Sequence, residues 1–161
     1  MDALYLFKKI RDLPLKMPES SDEEVFTCWG KHRKLFVLLN QAGFKVRYRV
    51  CEFLWSEQKF PKEIIEISHK DKENHLFLEI NLNDKWVIVD CTMDSKLPKF
   101  NDWDGKSDCK LGVNPKKIFT PLESSFLEKQ EPFLFEEIFK QNREFFKKLN
   151  KFYESLRVKS N

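Results

Sequence analysis

Two β-rich runs, His75–Leu82 and Lys85–Thr92, meet at Asn83-Asp84. Asn and Asp tolerate the left-handed backbone that a tight hairpin demands, so the pair predicts two antiparallel strands joined by a two-residue loop. Counting from that loop sets the side-chain facing. Leu82 pairs with Lys85, Phe77 with Asp90 and His75 with Thr92. His75 and Asp90 become diagonal neighbours on one face, about 7–8 Å apart at the backbone and within reach of a hydrogen bond. The other face collects Leu76, Leu78, Ile80, Leu82, Val87, Val89 and Cys91. It must be core, because a slip of one residue would turn all of it to water. The His75 face also carries Phe77, Glu79, Trp86, Ile88 and Thr92, a mixture that suits a site partly open to substrate.

Periodicity defines the other elements. Residues 4–12 read as an amphipathic helix ended by Pro14. Ser21 and Glu24 have capping-box spacing, and Thr27 is a rival cap for a helix starting at Cys28. From Cys28 to Ala42, Leu35, Phe36, Leu38 and Leu39 recur at helical spacing, with Gly43 as C-cap. Lys45–Trp55 alternates as a strand, Val46, Tyr48 and Val50 on one face and Arg47, Arg49 and Cys51 on the other. Glu63–Ser68 reads as a short strand, followed by a charged loop to Asn74. Turns at Pro98, Asn101, Asp102, Asp104 and Gly105 mark a loop-rich region. A C-terminal helical extension covers about 122–158, in which Pro132 opens a long helix to about Val158. Its Phe145, Leu149, Phe152 and Leu156 have heptad-like spacing, which suits core packing or a homodimer seam. No linker divides the chain, so 1–161 reads as a single α+β domain, its core at 20–115.

Bulk properties exclude several classes. Net charge is +3 with acids and bases interleaved, which argues against nucleic acid as partner. No apolar run approaches the roughly 18 residues of a membrane span. The first nine residues lack a signal peptide's basic start and apolar run, so a cytoplasmic location is the expectation. Cysteines 28, 51, 91 and 109 contain no C-x-x-C pair, so free thiols are expected, and neither metal nor cofactor. Asp102, Asp104 and Asp108 lack the glycine and glutamate positions of a calcium loop and read as a turn.

The chemistry-bearing residues have plain readings when taken singly. Cys28 is a small hydrophobe for burial, and His75 a histidine at a strand end. Taken together they make a nucleophile. A helix N-terminus stabilises a thiolate at Cys28, and a nearby imidazolium stabilises it further. A carboxylate at Asp90 would hold the imidazole in the useful tautomer. His32, one turn after Cys28, is a rival base, though it would sit beneath the thiol. His69 lies in a charged loop, and Asp94 is a rival acid beyond the strand.

Three blocks in this order resemble the transglutaminase-like superfamily. Cys28 opens a helix with Leu38-Leu39 that runs through Gly43-Phe44-Lys45-Val46-Arg47-Tyr48. His75-Leu76-Phe77-Leu78-Glu79-Ile80 is similar to the histidine strand, and Trp86-Val87-Ile88-Val89-Asp90-Cys91-Thr92 to the W-x-x-x-D-x-T strand. Cys28-Trp29-Gly30-Lys31-His32 resembles the C-x-x-K-H variant of small microbial members. The resemblance covers residues 20 to about 115. It implies a papain-like fold, with a Cys-headed helix packed on an antiparallel sheet, and Cys28, His75 and Asp90 as a triad. It further implies acyl transfer at the amide of a peptide or protein, with Trp29, Lys31, His32 and Trp86 as residues that shape the site. A binding module that keeps the fold without turnover is the alternative. The Cys28 backbone N–H is one expected oxyanion donor, and no side-chain donor is evident.

Overall fold

A computed structural model describes residues 2–20 and 26–159. The capping box expected at Ser21 and Glu24 lies outside them. Helix α1 covers Ala3–Arg11 and starts at Asp2, whose Oδ1 accepts from Leu4 N. Helix α2 covers Cys28–Gln41. Gly43 comes next at φ +86°, a left-handed backbone that costs glycine little. There Gly43 N donates to Asn40 O and Phe44 N to Leu39 O, closing the helix and turning the chain into the sheet.

Strands β1 (Val46–Leu54), β2 (Lys72–Leu82), β3 (Lys85–Val89) and β4 (Lys117–Ile118) form one antiparallel sheet in the order β3-β2-β1-β4. Asn83 and Asp84 have φ of 51° and 63°, so the β2–β3 loop is a tight turn with both residues left-handed. Leu82 lies opposite Lys85, as counted from the sequence, and Cys51 lies opposite His75.

The sheet is buried on both faces. On one, Leu78, Ile80, Val87, Val89 and Cys91 pack against Leu6, Phe7 and Ile10 of α1 and Leu35 and Leu39 of α2. On the other, Phe53 and the adjacent Trp55 meet Phe145, Phe146, Leu149 and Tyr153 of the C-terminal helix α4 (Pro121–Lys159). Burying each such side chain fully stabilises the fold by about 1.5–3 kcal/mol. The stripe that also suited a dimer seam therefore lies on the chain's own second core, Phe152 and Leu156 included. The His75 face, expected to stay partly open, is covered over part of its length; Trp86 and Ile88 are half-buried, and His75 borders a cavity. Phe77 is fully buried, and Glu79 is held between Arg47 and Arg49.

Two expectations are corrected. Glu63–Ser68 is no strand; a short helix α3, Lys62–Ile65, occupies it. Pro61 precedes it, and Ile64 is buried in the second core, which uses the apolar side chain without a strand. The C-terminal helix begins at Pro121, not at Pro132. Thr120 and Glu123 form a reciprocal capping box, with Glu123 N donating to Thr120 Oγ1 and Thr120 N to Glu123 Oε2. Pro121 sits at the first helical position, where its missing N–H costs nothing. Pro132, inside the helix, leaves the Glu128 carbonyl without its usual donor. Arg33 of α2 supplies one, its Nη2 donating to Glu128 O at 3.1 Å. Among the described residues, no helix is long and apolar enough to cross a membrane.

Candidate active site

Cys28 is the first residue of α2. Thr27 holds the N-cap with an extended backbone, but its side chain makes no capping hydrogen bond. The first-turn N–H groups are thus not taken up by that side chain, and a helix N-terminus favours negative charge nearby. All four cysteines are free, and Cys28 alone is half-buried; Cys51, Cys91 and Cys109 are buried. Burial pushes the Cys51 thiol up to about 12 and the Cys109 thiol up to about 11, and Cys91 upward as well.

His75 projects from β2 and is 1% exposed. Its Nε2 lies 2.7 Å from Asp90 Oδ2, just beyond the end of β3. The Cys28 thiol borders the same cavity and lies near enough to act on the His75 charge. With Nε2 held by Asp90, Nδ1 is the nitrogen left for sulfur. Burial alone would drive the imidazolium to lose its proton. The Asp90 charge, then Cys28, outweigh burial and hold the His75 pKa above its ordinary value. Burial would likewise raise Asp90. His75 outweighs it and holds the carboxyl below the usual range, with smaller help from His32 and the Gly112 N–H. The carboxylate is well coordinated, since Oδ2 also accepts from Gly112 N at 2.7 Å and Oδ1 from Thr92 N at 3.0 Å.

The two neighbours in the C-x-x-K-H block are braces behind this group. Cys91 N–H donates to His32 Nε2 at 3.0 Å, which makes that nitrogen the acceptor. Nδ1 then carries the proton and donates to Cys28 O at 2.6 Å. His32 is fully buried, burial pushes its pKa down to about 4, and it stays neutral. Its 3.5 Å approach to Asp90 is therefore not an ion pair at neutral pH. Both nitrogens are committed to backbone, so His32 is not placed to act as a base. Lys31, 0% exposed, points its Nζ at three carbonyls, those of Arg11, Leu13 and Thr92. It ties α1, α2 and the segment after Asp90 together. Burial pulls its pKa down to about 8.

Trp29 lines the same cavity as Cys28 and His75, and its indole N–H donates to Asn74 O at 3.3 Å. Trp86 does not join them. It lies opposite Asn81, six residues along β2 from His75 and about 20 Å away, where Arg47 stacks 4.0 Å from its ring. Asp94 accepts from Leu15 N and pairs with Arg157 of α4, so it anchors the C-terminal helix. His69 stacks on Phe145 at 4.1 Å. Gly112 carried no signal in the sequence. Only the structure reveals that its N–H reaches Asp90 and that a Cβ there would lie 3.5 Å from Asp90 Oδ2.

A cavity of about 390 Å³ opens beside Cys28, bordered by His75, Thr92 and Gly112. Among the described residues no cluster of His, Cys, Asp and Glu is placed to hold a metal ion. No protein-family model, curated protein or solved structure matches the chain.

Proposed function

We propose that the chain is a thiol-dependent acyl-transfer enzyme of transglutaminase-like type, acting on an amide as peptidase, amidase or transamidase. The observation that carries this reading is a half-buried Cys28 at a helix start, bordering one cavity with a buried His75 whose Nε2 is 2.7 Å from Asp90. The α+β arrangement, with the Cys28 helix on an antiparallel sheet, agrees with what the three sequence blocks imply.

Chemically, the Cys28 thiolate adds to the amide carbonyl and forms an S–C bond. His75 hands its proton to the nitrogen, the C–N bond breaks, and the amine leaves. Water or a second amine then attacks the thioester and gives its proton to His75, and the C–S bond breaks to restore the thiolate. Asp90 keeps the imidazole oriented and stabilises its charged form throughout. First-turn N–H groups of α2 stabilise the oxyanion.

Peptide-resolved alkylation with iodoacetamide near pH 7 tests this directly. Cys28 is expected to react faster than Cys51, Cys91 and Cys109, and His75→Ala to slow it. Equal reactivity of the four thiols in the folded protein would favour a binding module without turnover and refute the proposal.

A further inference from the structure

The cavity beside Cys28 is built by two parts of the chain far apart in sequence. One wall comes from Phe53, near the end of β1, and from Trp55 just past it. The facing wall is α4, through Ile138, Phe146 and Tyr153. Those walls are apolar. Charge of both signs enters at the border, through Glu73, Glu131, Lys59 and Lys99, and Glu131 is paired with Arg33 at 2.9 Å. Glu73 lies two residues before His75 and shares its face of β2, and Glu131 sits one residue before the helix proline. Burial pushes the Glu73 carboxyl upward, Lys70 opposes this, and Glu131 adds to it, so the two acids lie near enough to repel. Glu73 Oε1 is buried and has no hydrogen-bond partner.

We infer that this cavity is the acyl-side subsite, and that it takes a bulky, apolar, uncharged group, aromatic or branched aliphatic, joined to the carbonyl that Cys28 attacks. The inference rests on the acyl-transfer reading. Its volume falls in the range of about 300–1,000 Å³ typical of small-ligand sites. The acyl part must stay bound through the thioester while the amine departs, so a cavity walled on both sides suits the part that stays. A polar side chain would lose its water to walls that offer few partners. A charged one would lose more still, because an ion gives up more hydration than a neutral polar group. One wall is α4, which lies outside the blocks that resemble the family, so α4 shares with Phe53 and Trp55 in setting how large a group fits.

The full-length protein is treated with halomethyl ketones that differ only in the side group beside the carbonyl: benzyl, methyl and carboxymethyl. Labelling of Cys28 is read by peptide mapping and normalised to iodoacetamide. Benzyl is expected to react about 10–100-fold faster than methyl, with carboxymethyl slowest. Ile138→Trp, which fills the cavity from α4, is expected to reduce the benzyl rate at least about 10-fold more than the methyl rate. Val113→Trp, at another lining residue outside α4, provides the same test if the first variant fails to fold. Selective labelling of Cys28 by iodoacetamide without a benzyl preference, or with an unaltered preference in a folded filled-cavity variant, overturns the subsite and leaves the acyl-transfer reading standing. Labelling of Cys28 no faster than the buried thiols by any reagent overturns both.

Discussion

Replacing Asp90 with Asn changes one heavy atom and removes the charge 2.7 Å from His75. The amide must present either oxygen or nitrogen to each set of partners. With its oxygen toward His75 and Gly112, its NH₂ faces the Thr92 N–H. Turned over, its NH₂ faces the Gly112 N–H. Either way one buried donor loses its acceptor, at about 1–3 kcal/mol. The charged pair is lost as well, and breaking a buried pair costs about 3–5 kcal/mol in total. The pH dependence carries a sign. The folded His75 pKa is raised, so its contribution is fully present below its unfolded value of about 6.5 and is lost as pH rises through the folded value. The folded Asp90 pKa is depressed, so its contribution is present above about 3.9 and is lost as pH falls through the folded value. In Asp90→Asn, His75 is buried without a counter-charge and resists protonation, which penalises the variant further below about 6.5. Urea unfolding at pH 5.5, 7 and 8.5 is the assay. The gap from wild type is expected to be about 3–5 kcal/mol near pH 5.5 and to narrow toward pH 8.5. A gap below about 1 kcal/mol, or one independent of pH, would refute the linked charge pair.

Three further perturbations have defined outcomes. Arg33→Ala removes the donor to Glu128 O and two carboxylate partners from a side chain 31% exposed. The expected loss is about 1 kcal/mol, with faster hydrogen exchange confined to the helix around Pro132. Gly112→Ala places a Cβ 3.3 Å from Asn101 Oδ1 and 3.4 Å from Thr92 Cβ; an expected cost of about 1–3 kcal/mol, read by thermal melting, accompanies slower Cys28 alkylation. Lys31→Met leaves the Arg11, Leu13 and Thr92 carbonyls without their shared donor, and urea unfolding is expected to show a loss of at least about 2 kcal/mol.

Local chemistry explains what the sequence made legible. Asn83-Asp84 admits few alternatives to a tight turn, and once the turn is set, period-two alternation carries His75 and Asp90 to one face. Gly43 marked the end of α2 for the same reason: a positive φ that side chains resist. The misreadings come from partners distant in sequence. Pro132 looked like a helix start because no local signal announces that Arg33, far upstream, satisfies the carbonyl it orphans. Ile64 and Ile65 looked β-rich, but burial against the second core decided their form. Trp86 shares His75's face, and a face says nothing of distance along it. Gly112 lies in a loop where only the fold reveals what its N–H approaches.

The bonds that seat the C-terminal helix join the two ends of the chain. Met17 N and O meet the side chain of Asn150, and Leu15 O accepts from Arg157, across separations of 133 and 142 residues. Such contacts raise contact order and slow folding. During synthesis the sheet and α2 are complete long before residue 157 leaves the ribosome. Until then Phe53 and Trp55 lack their cover, and the cleft beside Cys28 has one wall. A nascent chain therefore holds a cysteine, a histidine and an aspartate without the enclosure that would retain a substrate. Docking of α4 therefore closes the cleft beside Cys28, and the surroundings of Cys28, His75 and Asp90 are set by contacts that form late.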